Sequence, residues 1–176
     1  IAGTSIGSLN GALILQDDLE SMINLYENII PNLINELCPE IPYIPSSPTS
    51  FEQFNDPNNE NKGDSHFWEV WLGNKPFFEY RNHYFRYLSE FGFESLPSKK
   101  TIDSFTIPSD RNLFSRVMEK HQRSNDGNQR IISYISKTFL YPTNFEALIY
   151  ASQLLQARAI KYAVEHLRRN RGRCMG

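Results

Sequence analysis

The 176-residue chain has 18 Lys and Arg residues against 20 Asp and Glu residues, so its formal net charge of -2 gives no electrostatic case for nucleic-acid binding. Hydrophobic residues make up 40% and charged residues 22%, which excludes a chain that is disordered by composition. The two cysteines lack metal-ligand spacing, no metal or organic cofactor is implied, and no apolar run is long enough to span a bilayer.

The first third of the chain predicts one helix followed by irregular structure. Apolar residues recur at helical spacing from Asp17 to Cys38, which predicts a helix with one buried stripe that Pro31 kinks or splits. The stretch "PYIPSSP" favours an extended segment in which a short strand fits. Residues 51–64 are rich in Asn, Asp, Pro and Gly and predict a surface loop.

Two further strands and several helices are predicted beyond this loop. The alternation in "SHFWEVW" predicts a strand, "NKPFFEYRNHY" a short helix, and "FRYLSEFGFES" a second strand that Pro97 ends. Helices follow over about 110–123, 127–139 and 144–169, the last with Thr143 as its cap. This alternation indicates an α/β fold. Three strand candidates cannot close a barrel, so we expect part of one.

Residues 3–12, "GTSIGSLNGA", contain the Gly3-x-Ser5-x-Gly7 spacing of a nucleophile elbow. A working elbow also needs a preceding strand, an oxyanion hole and a base. None of the four histidines has a flanking pattern that marks a triad. Residues 1–28 resemble patatin-like phospholipases, which implies Ser5 as the nucleophile of an esterase. That family uses an Asp-Gly-Gly or Asp-Gly-Ala motif, from which the nearest match here, Asp126-Gly127-Asn128, departs.

Glu90 lies at the predicted C-terminal end of the strand in "FRYLSEFGFES", among aromatic residues. A carboxylate in that position can act as a nucleophile or as an acid–base group. In a (β/α)8 barrel, this end of the strands carries the catalytic groups. The residue types alone leave a second interpretation open, in which Glu90 forms a structural ion pair with Arg81 or Arg86.

Several segments together resemble the bacterial beta-mannosidases of glycoside hydrolase family 2. They are "PYIPSSP", "GDSHFWEVWLGNKPFFEYRNHYFRYLSEFGFESLPS", "TIPSDRNLFSRVMEKHQR" and "TFLYPTNFEALIYASQLLQARAIKYAVEHLRRNRGRCMG", in matching order over residues 26–176. The resemblance implies a (β/α)8 TIM barrel that cleaves terminal β-D-mannosides with retention, and it implies Glu90 as the nucleophile. It also places His66, Trp68 and Trp71 in the sugar pocket, although for Trp71 packing inside the barrel is an equal alternative.

Retaining hydrolysis needs a second carboxylate about 5–5.5 Å from the first. The resemblance puts this acid–base glutamate within residues 1–10, where the sequence has neither Asp nor Glu. Glu94 is too close to Glu90 along the chain to take that role. We therefore expect a partial barrel, with about three barrel strands, that binds a β-mannoside or oligosaccharide but is inactive alone.

Two alternatives remain open at this stage, the Ser5 esterase and a non-catalytic fragment. Both ends of the chain look cut from a longer protein. No signal peptide is recognisable, so we expect a cytoplasmic location. The sequence does not indicate an oligomeric state.

Overall fold

The structure, a computed structural model, describes residues 18–52 and 55–176. The chain divides into two compact units, residues 1–65 and residues 66–176. The predicted nucleophile elbow with Ser5 lies outside the described residues.

The predicted N-terminal helix is present in the first unit as three consecutive segments. They are α1 (Leu19–Asn24), a π-helical turn (Leu25–Ile29) and α2 (Ile30–Leu37). The carboxylate of Asp18 caps α1 by accepting a hydrogen bond of 3.0 Å from the backbone N–H of Ser21. A short acceptor at this position satisfies a backbone donor that the helix itself leaves unpaired.

Pro31 does not split this helix. The π-helical turn directly precedes it, and there the backbone N–H of Ile30 donates to the carbonyl of Leu25. The wider turn accommodates a residue that lacks an N–H and whose ring crowds the preceding turn.

The apolar stripe of this helix is not buried as predicted. No residue of α1, the π-helical turn or α2 is buried, because the described part of the first unit contains no second helix to cover them. The large exposed members of the stripe are Leu19, Ile29, Leu33 and Leu37.

The segment that follows is held by one bridge and not by a strand. Thr49 and Asp64 form an isolated antiparallel bridge. The carboxylate of Asp64 accepts hydrogen bonds from the Thr49 backbone N–H at 3.0 Å and from the Ser47 hydroxyl at 2.6 Å. The prolines of "PYIPSSP" lack the N–H donors that a strand ladder uses, which explains why no strand forms there. The loop predicted over 51–64 is confirmed where the structure describes it.

The second unit is organised around a two-stranded parallel sheet of β1 (Ser65–Phe67) and β2 (Leu88–Phe91). β1 is shorter than the predicted strand. It ends at Phe67 because the carbonyl of Trp68 accepts a hydrogen bond of 2.6 Å from the Leu72 N–H, which closes a turn.

Helical segments account for most of the remaining second unit. They are a 3₁₀ helix (Phe77–Asn82), α3 (Lys99–Phe105), a 3₁₀ turn (Pro108–Asp110), α4 (Arg116–His121), α5 (Gly127–Thr138) and α6 (Phe145–Arg169). The short helix and the helices over 127–139 and 144–169 are confirmed. The helix predicted over 110–123 begins later, at Arg116. α3 is not predicted from the sequence, because Ile102 is its one buried residue and a single apolar position gives no periodicity.

α6 is the longest element and packs against both α5 and the 3₁₀ helix. Its cap is Asn144 and not Thr143 as predicted. The Asn144 side-chain oxygen accepts a hydrogen bond of 2.8 Å from the Ala147 N–H. The core beneath α6 is mainly aromatic and branched aliphatic, and its largest members are Phe67, Trp71, Phe77, Tyr80, Phe85, Phe93 and Tyr134.

Two polar side chains of α6, one buried and one partly buried, hold the chain that leaves β2. The hydroxyl of Ser152 accepts a hydrogen bond of 3.1 Å from the backbone N–H of Leu96. The amide of Gln156 donates to the carbonyl of Phe93 at 2.7 Å. These bonds join residues more than fifty positions apart and fix how β2 continues beyond its last ladder residue.

After α6 the chain returns to the start of β2. The backbone N–H of Met175 donates to the carbonyl of Arg86 at 2.9 Å. The backbone of Gly176 lies so near Leu88 that an added Cβ would be 2.5 Å from the Leu88 nitrogen. Residues 86–88 and 175–176 are thus neighbours joined through α6. Of the three strand candidates, two form named strands in the described part of the chain.

Candidate active site

The predicted nucleophile, Glu90, lies in β2 beside β1. His66 is the middle residue of β1, and Trp68 directly follows that strand. Because the two strands are parallel, their carboxyl ends lie at the same edge of the sheet. The structure therefore brings together three of the four residues predicted for the site, all within the second unit.

The side chains of Trp68 and His66 both contact the same oxygen of Glu90. The indole Nε1 of Trp68 donates to Glu90 Oε2 at 2.8 Å. His66 Nδ1 lies 3.2 Å from the same Oε2. Oε1 has no hydrogen-bond partner among the described residues, and the Glu90 side chain is 51% exposed. The carboxylate is thus held through one oxygen while the other remains open to a ligand.

Gly92, which directly follows β2, leaves space for the indole of Trp68. A Cβ added at Gly92 would lie 3.0 and 3.1 Å from two ring carbons of Trp68. Trp68 is partly buried and also packs against the hydrophobic core. The indole is therefore confined between the core and the strand, which fixes the direction of its N–H toward Glu90.

Trp71 lies in the core. It is 4% exposed and packs edge-on against Phe93 with ring centroids 5.0 Å apart. This placement agrees with the packing alternative for Trp71, and it offers no exposed surface for a sugar.

The ion pair of Glu90 with an arginine, which the sequence left open, is absent among the described residues. The guanidinium of Arg81 lies over the ring of Tyr162, 4.6 Å from its centroid. The ion-pair partner of Glu90 is His66. A pair with Arg81 or Arg86 is therefore absent among the described residues, whereas the contact with His66 is an ion pair when the imidazole is protonated and agrees with a structural role for Glu90.

β2 ends at Phe91, so Glu94 lies beyond the strand that carries Glu90. Glu94 lines a cavity of about 190 Å³ with Gln122 and Asn128. Burial raises the pKa of Glu94, while the Gln122 side chain and the charge of Arg130 partly oppose that rise.

A larger cavity of about 400 Å³ lies away from Glu90, against α3 and the start of α6. Its charged side chains pair with one another. Asp103 bonds to Lys99, and its Oδ1 lies 2.9 Å from Arg111 Nε. The hydrogen bond from Lys99 and the charge of Arg111 lower the pKa of Asp103. These charges are occupied in joining α3 to the following loop.

The remaining sequence candidates do not assemble a second site in the described residues. Asp126, from the predicted esterase motif, forms a 2.5 Å ion pair with Arg130, and Gly127 begins α5. No three potential metal ligands cluster within residues 18–52 and 55–176. Within the same residues, no helix is both long and apolar enough to cross a membrane.

No known protein-family model matches the chain. Individual proteins do. The chain is 30% identical over 150 residues to "Beta-mannosidase B" of Emericella nidulans and 29% identical over 150 residues to "Beta-mannosidase B" of Aspergillus oryzae, covering 84% of this chain in each comparison. The structure is similar to that of a beta-D-mannosidase from Dictyoglomus thermophilum, with a TM-score of 0.79, 37% identity and coverage of 84% of this chain.

The chain spans only 18% of the length of each of these proteins. The matches confirm the predicted similarity to beta-mannosidases in general terms. Over most of its length, the chain is therefore similar in sequence and fold to one part of proteins named beta-mannosidase.

Proposed function

We propose that the chain is part of the catalytic barrel of a retaining β-mannosidase of glycoside hydrolase family 2, with Glu90 as its nucleophile. The observation that carries the proposal is the half-exposed carboxylate of Glu90, held through Oε2 by Trp68 and His66. Its place near the carboxyl end of a parallel strand is where barrel enzymes keep their catalytic groups. The similarity to beta-mannosidases supplies the substrate class.

The barrel part of the proposal is supported by the path of the chain around β2. β1 lies beside β2, and the chain after α6 returns to β2 through the Met175–Arg86 hydrogen bond. A strand followed by a helix that leads into a neighbouring parallel strand is the repeating unit of such barrels, and the segment after α6 contacts β2 at the place of such a neighbour. The two strands and this third contact account for only part of an eight-stranded barrel.

The proposed chemistry uses Glu90 to attack the sugar. A lone pair of a Glu90 oxygen forms a bond to the anomeric carbon, and the bond from that carbon to the leaving oxygen breaks with its electron pair. A second carboxylate protonates the leaving oxygen and then takes a proton from the water that releases the sugar. Glu94 is not assigned this second role, because it lies beyond β2 and lines a cavity with Gln122 and Asn128.

The proposal therefore includes that the chain hydrolyses ordinary β-mannosides poorly by itself. A substrate with a good leaving group needs little acid assistance, so it isolates what Glu90 can do. Azide can replace water in the second step, because it attacks the anomeric carbon as an anion and needs no base.

The test is turnover of an aryl β-mannoside with an activated phenol leaving group, in the presence and absence of azide. We expect turnover that azide increases, a mannosyl azide product of retained β configuration, and loss of both in Glu90→Gln. Glu165→Gln is the matched control, because Glu165 is a glutamate on the exposed face of α6 that pairs with Arg169. A folded chain without turnover, or with equal turnover in Glu90→Gln, would contradict the proposal.

A further inference from the structure

We infer that Trp68 is a positioning residue that determines which oxygen of Glu90 attacks the sugar, and that Gly92 sets the place of Trp68. This inference rests on the proposed function, since it concerns the orientation of the same nucleophile. It replaces the predicted role of Trp68 as a direct sugar contact.

The first step is the asymmetry of the carboxylate. Trp68 Nε1 and His66 Nδ1 both approach Oε2, at 2.8 and 3.2 Å. An indole N–H can donate but never accept, so the shorter of these two bonds has only one possible direction. Oε2 is thus held by the protein, and we assign the attack on the sugar to Oε1, which has no hydrogen-bond partner among the described residues.

The second step is the rigidity of the donor. Trp68 packs against the core, and a Cβ added at Gly92 would lie only 3.0 and 3.1 Å from two of its ring carbons. A confined ring loses little further freedom when it orients the carboxylate, which makes the hydrogen bond an effective geometric constraint. Any side chain at position 92 would push the indole away from its present place by a few tenths of an ångström.

The third step separates positioning from binding. A residue that acts through Glu90 changes how fast the bond to the anomeric carbon forms, but it does not change how tightly the sugar is held. A residue that touches the sugar also changes the affinity for the sugar. The two roles of Trp68 therefore predict different kinetic constants.

The experiment measures inactivation of the chain by 2-deoxy-2-fluoro-β-D-mannosyl fluoride, followed by intact mass and peptide mapping. In this reaction Glu90 Oε1 forms a bond to the anomeric carbon, and the carbon–fluorine bond breaks to release fluoride with its electron pair. No acid or oxidant is needed. We measure the maximal inactivation rate constant and the half-saturating reagent concentration separately.

We expect Trp68→Phe to lower the maximal rate constant by roughly 10- to 100-fold, the range that a misplaced reacting group costs, with half-saturation changed less than about twofold. Gly92→Ala keeps every side chain of the site and should lower the same constant in the same direction by roughly tenfold. Tyr150→Phe is the control, because it modifies an aromatic side chain on α6 that is 64% exposed. Circular dichroism establishes that each variant is folded, and Gly92→Ala decides the question where Trp68→Phe does not fold.

The outcomes distinguish failure of the proposed function from failure of the inferred positioning role of Trp68. A wild-type chain that is not labelled on Glu90 overturns the proposed function and this inference with it. Labelling on Glu90 with an unchanged rate constant in both variants overturns the inference alone. A rise in the half-saturating concentration with an unchanged rate constant in Trp68→Phe also overturns it, because it makes Trp68 a sugar contact.

Discussion

Replacing Ser152 with alanine should destabilise the second unit by about 1–3 kcal/mol, because it leaves a buried backbone donor without an acceptor. Ser152 is 0% exposed and its hydroxyl accepts the Leu96 N–H at 3.1 Å. Leu96 itself is 4% exposed, so water cannot replace the lost acceptor. With a urea dependence of about 2 kcal/mol per molar, the unfolding midpoint should fall by roughly 0.5–1.5 M.

Tryptophan fluorescence during urea unfolding measures this change. Both tryptophans of the chain, Trp68 and Trp71, belong to the second unit, so their signal reports on the unfolding of that unit. Ser136→Ala is a matched control. Ser136 and Ser152 each donate from a helix to the carbonyl three residues earlier, at 2.8 and 2.7 Å, but Ser136 is exposed and lacks the second bond.

The difference between the two variants isolates the Leu96 hydrogen bond from the general effect of exchanging a helical serine for alanine. We expect Ser136→Ala to change the free energy of unfolding by less than about 0.5 kcal/mol. Equal effects in Ser152→Ala and Ser136→Ala would refute the view that α6 holds the continuation of β2 through this bond.

Two further predictions concern Glu94 and the start of α6. Burial raises the pKa of Glu94 above the ordinary value of 4.5, because the folded protein favours the neutral carboxyl group. The free energy of unfolding is therefore highest below pH 4.5 with respect to this group and falls as the pH rises through the raised pKa. Glu94→Gln should therefore gain in urea midpoint relative to wild type between about pH 4 and pH 7, and a pH-independent difference would contradict this cause. Asn144→Ala should cost about 1 kcal/mol of unfolding free energy through loss of the cap, whereas Thr143→Ala should cost little; the reverse order would restore Thr143 as the cap.

The long helices could be predicted from sequence because their apolar spacing repeats over several turns. α5 and α6 are examples, and their bounds differ from the predicted ones by a residue. α3 escaped prediction because it has one buried side chain, and the signal that marks its start is the Ser98 cap that accepts the Thr101 N–H. α1 and α2 show a different limit of prediction: their periodicity correctly indicates an apolar face, but it does not predict whether other residues cover that face.

For the candidate site, the position of Glu90 near the end of a strand could be predicted from the sequence, and its role as nucleophile stays a prediction. The contacts that Trp68 and Trp71 make could not be predicted from the sequence. The alternation through "SHFWEVW" treats Trp68 and Trp71 as parts of one strand, whereas the chain turns at Trp68 through its bond to Leu72.

The two tryptophans lie in different environments, and both alternation along the chain and packing against Gly92 contribute to the difference. In an uninterrupted strand, positions 66 and 68 share one face while positions 67 and 71 share the other. The structure keeps this division: His66 and Trp68 reach Glu90, while Phe67 and Trp71 are buried in the core. The alternation of side chains along a strand therefore separates the two indoles. It does not predict whether Trp68 contacts a protein carboxylate or a ligand. That distinction depends on Gly92, whose missing side chain lets the indole lie against β2 and donate to Oε2. A glycine two residues after the proposed nucleophile thus becomes a part of the site through packing, which no motif based on reactive groups would identify.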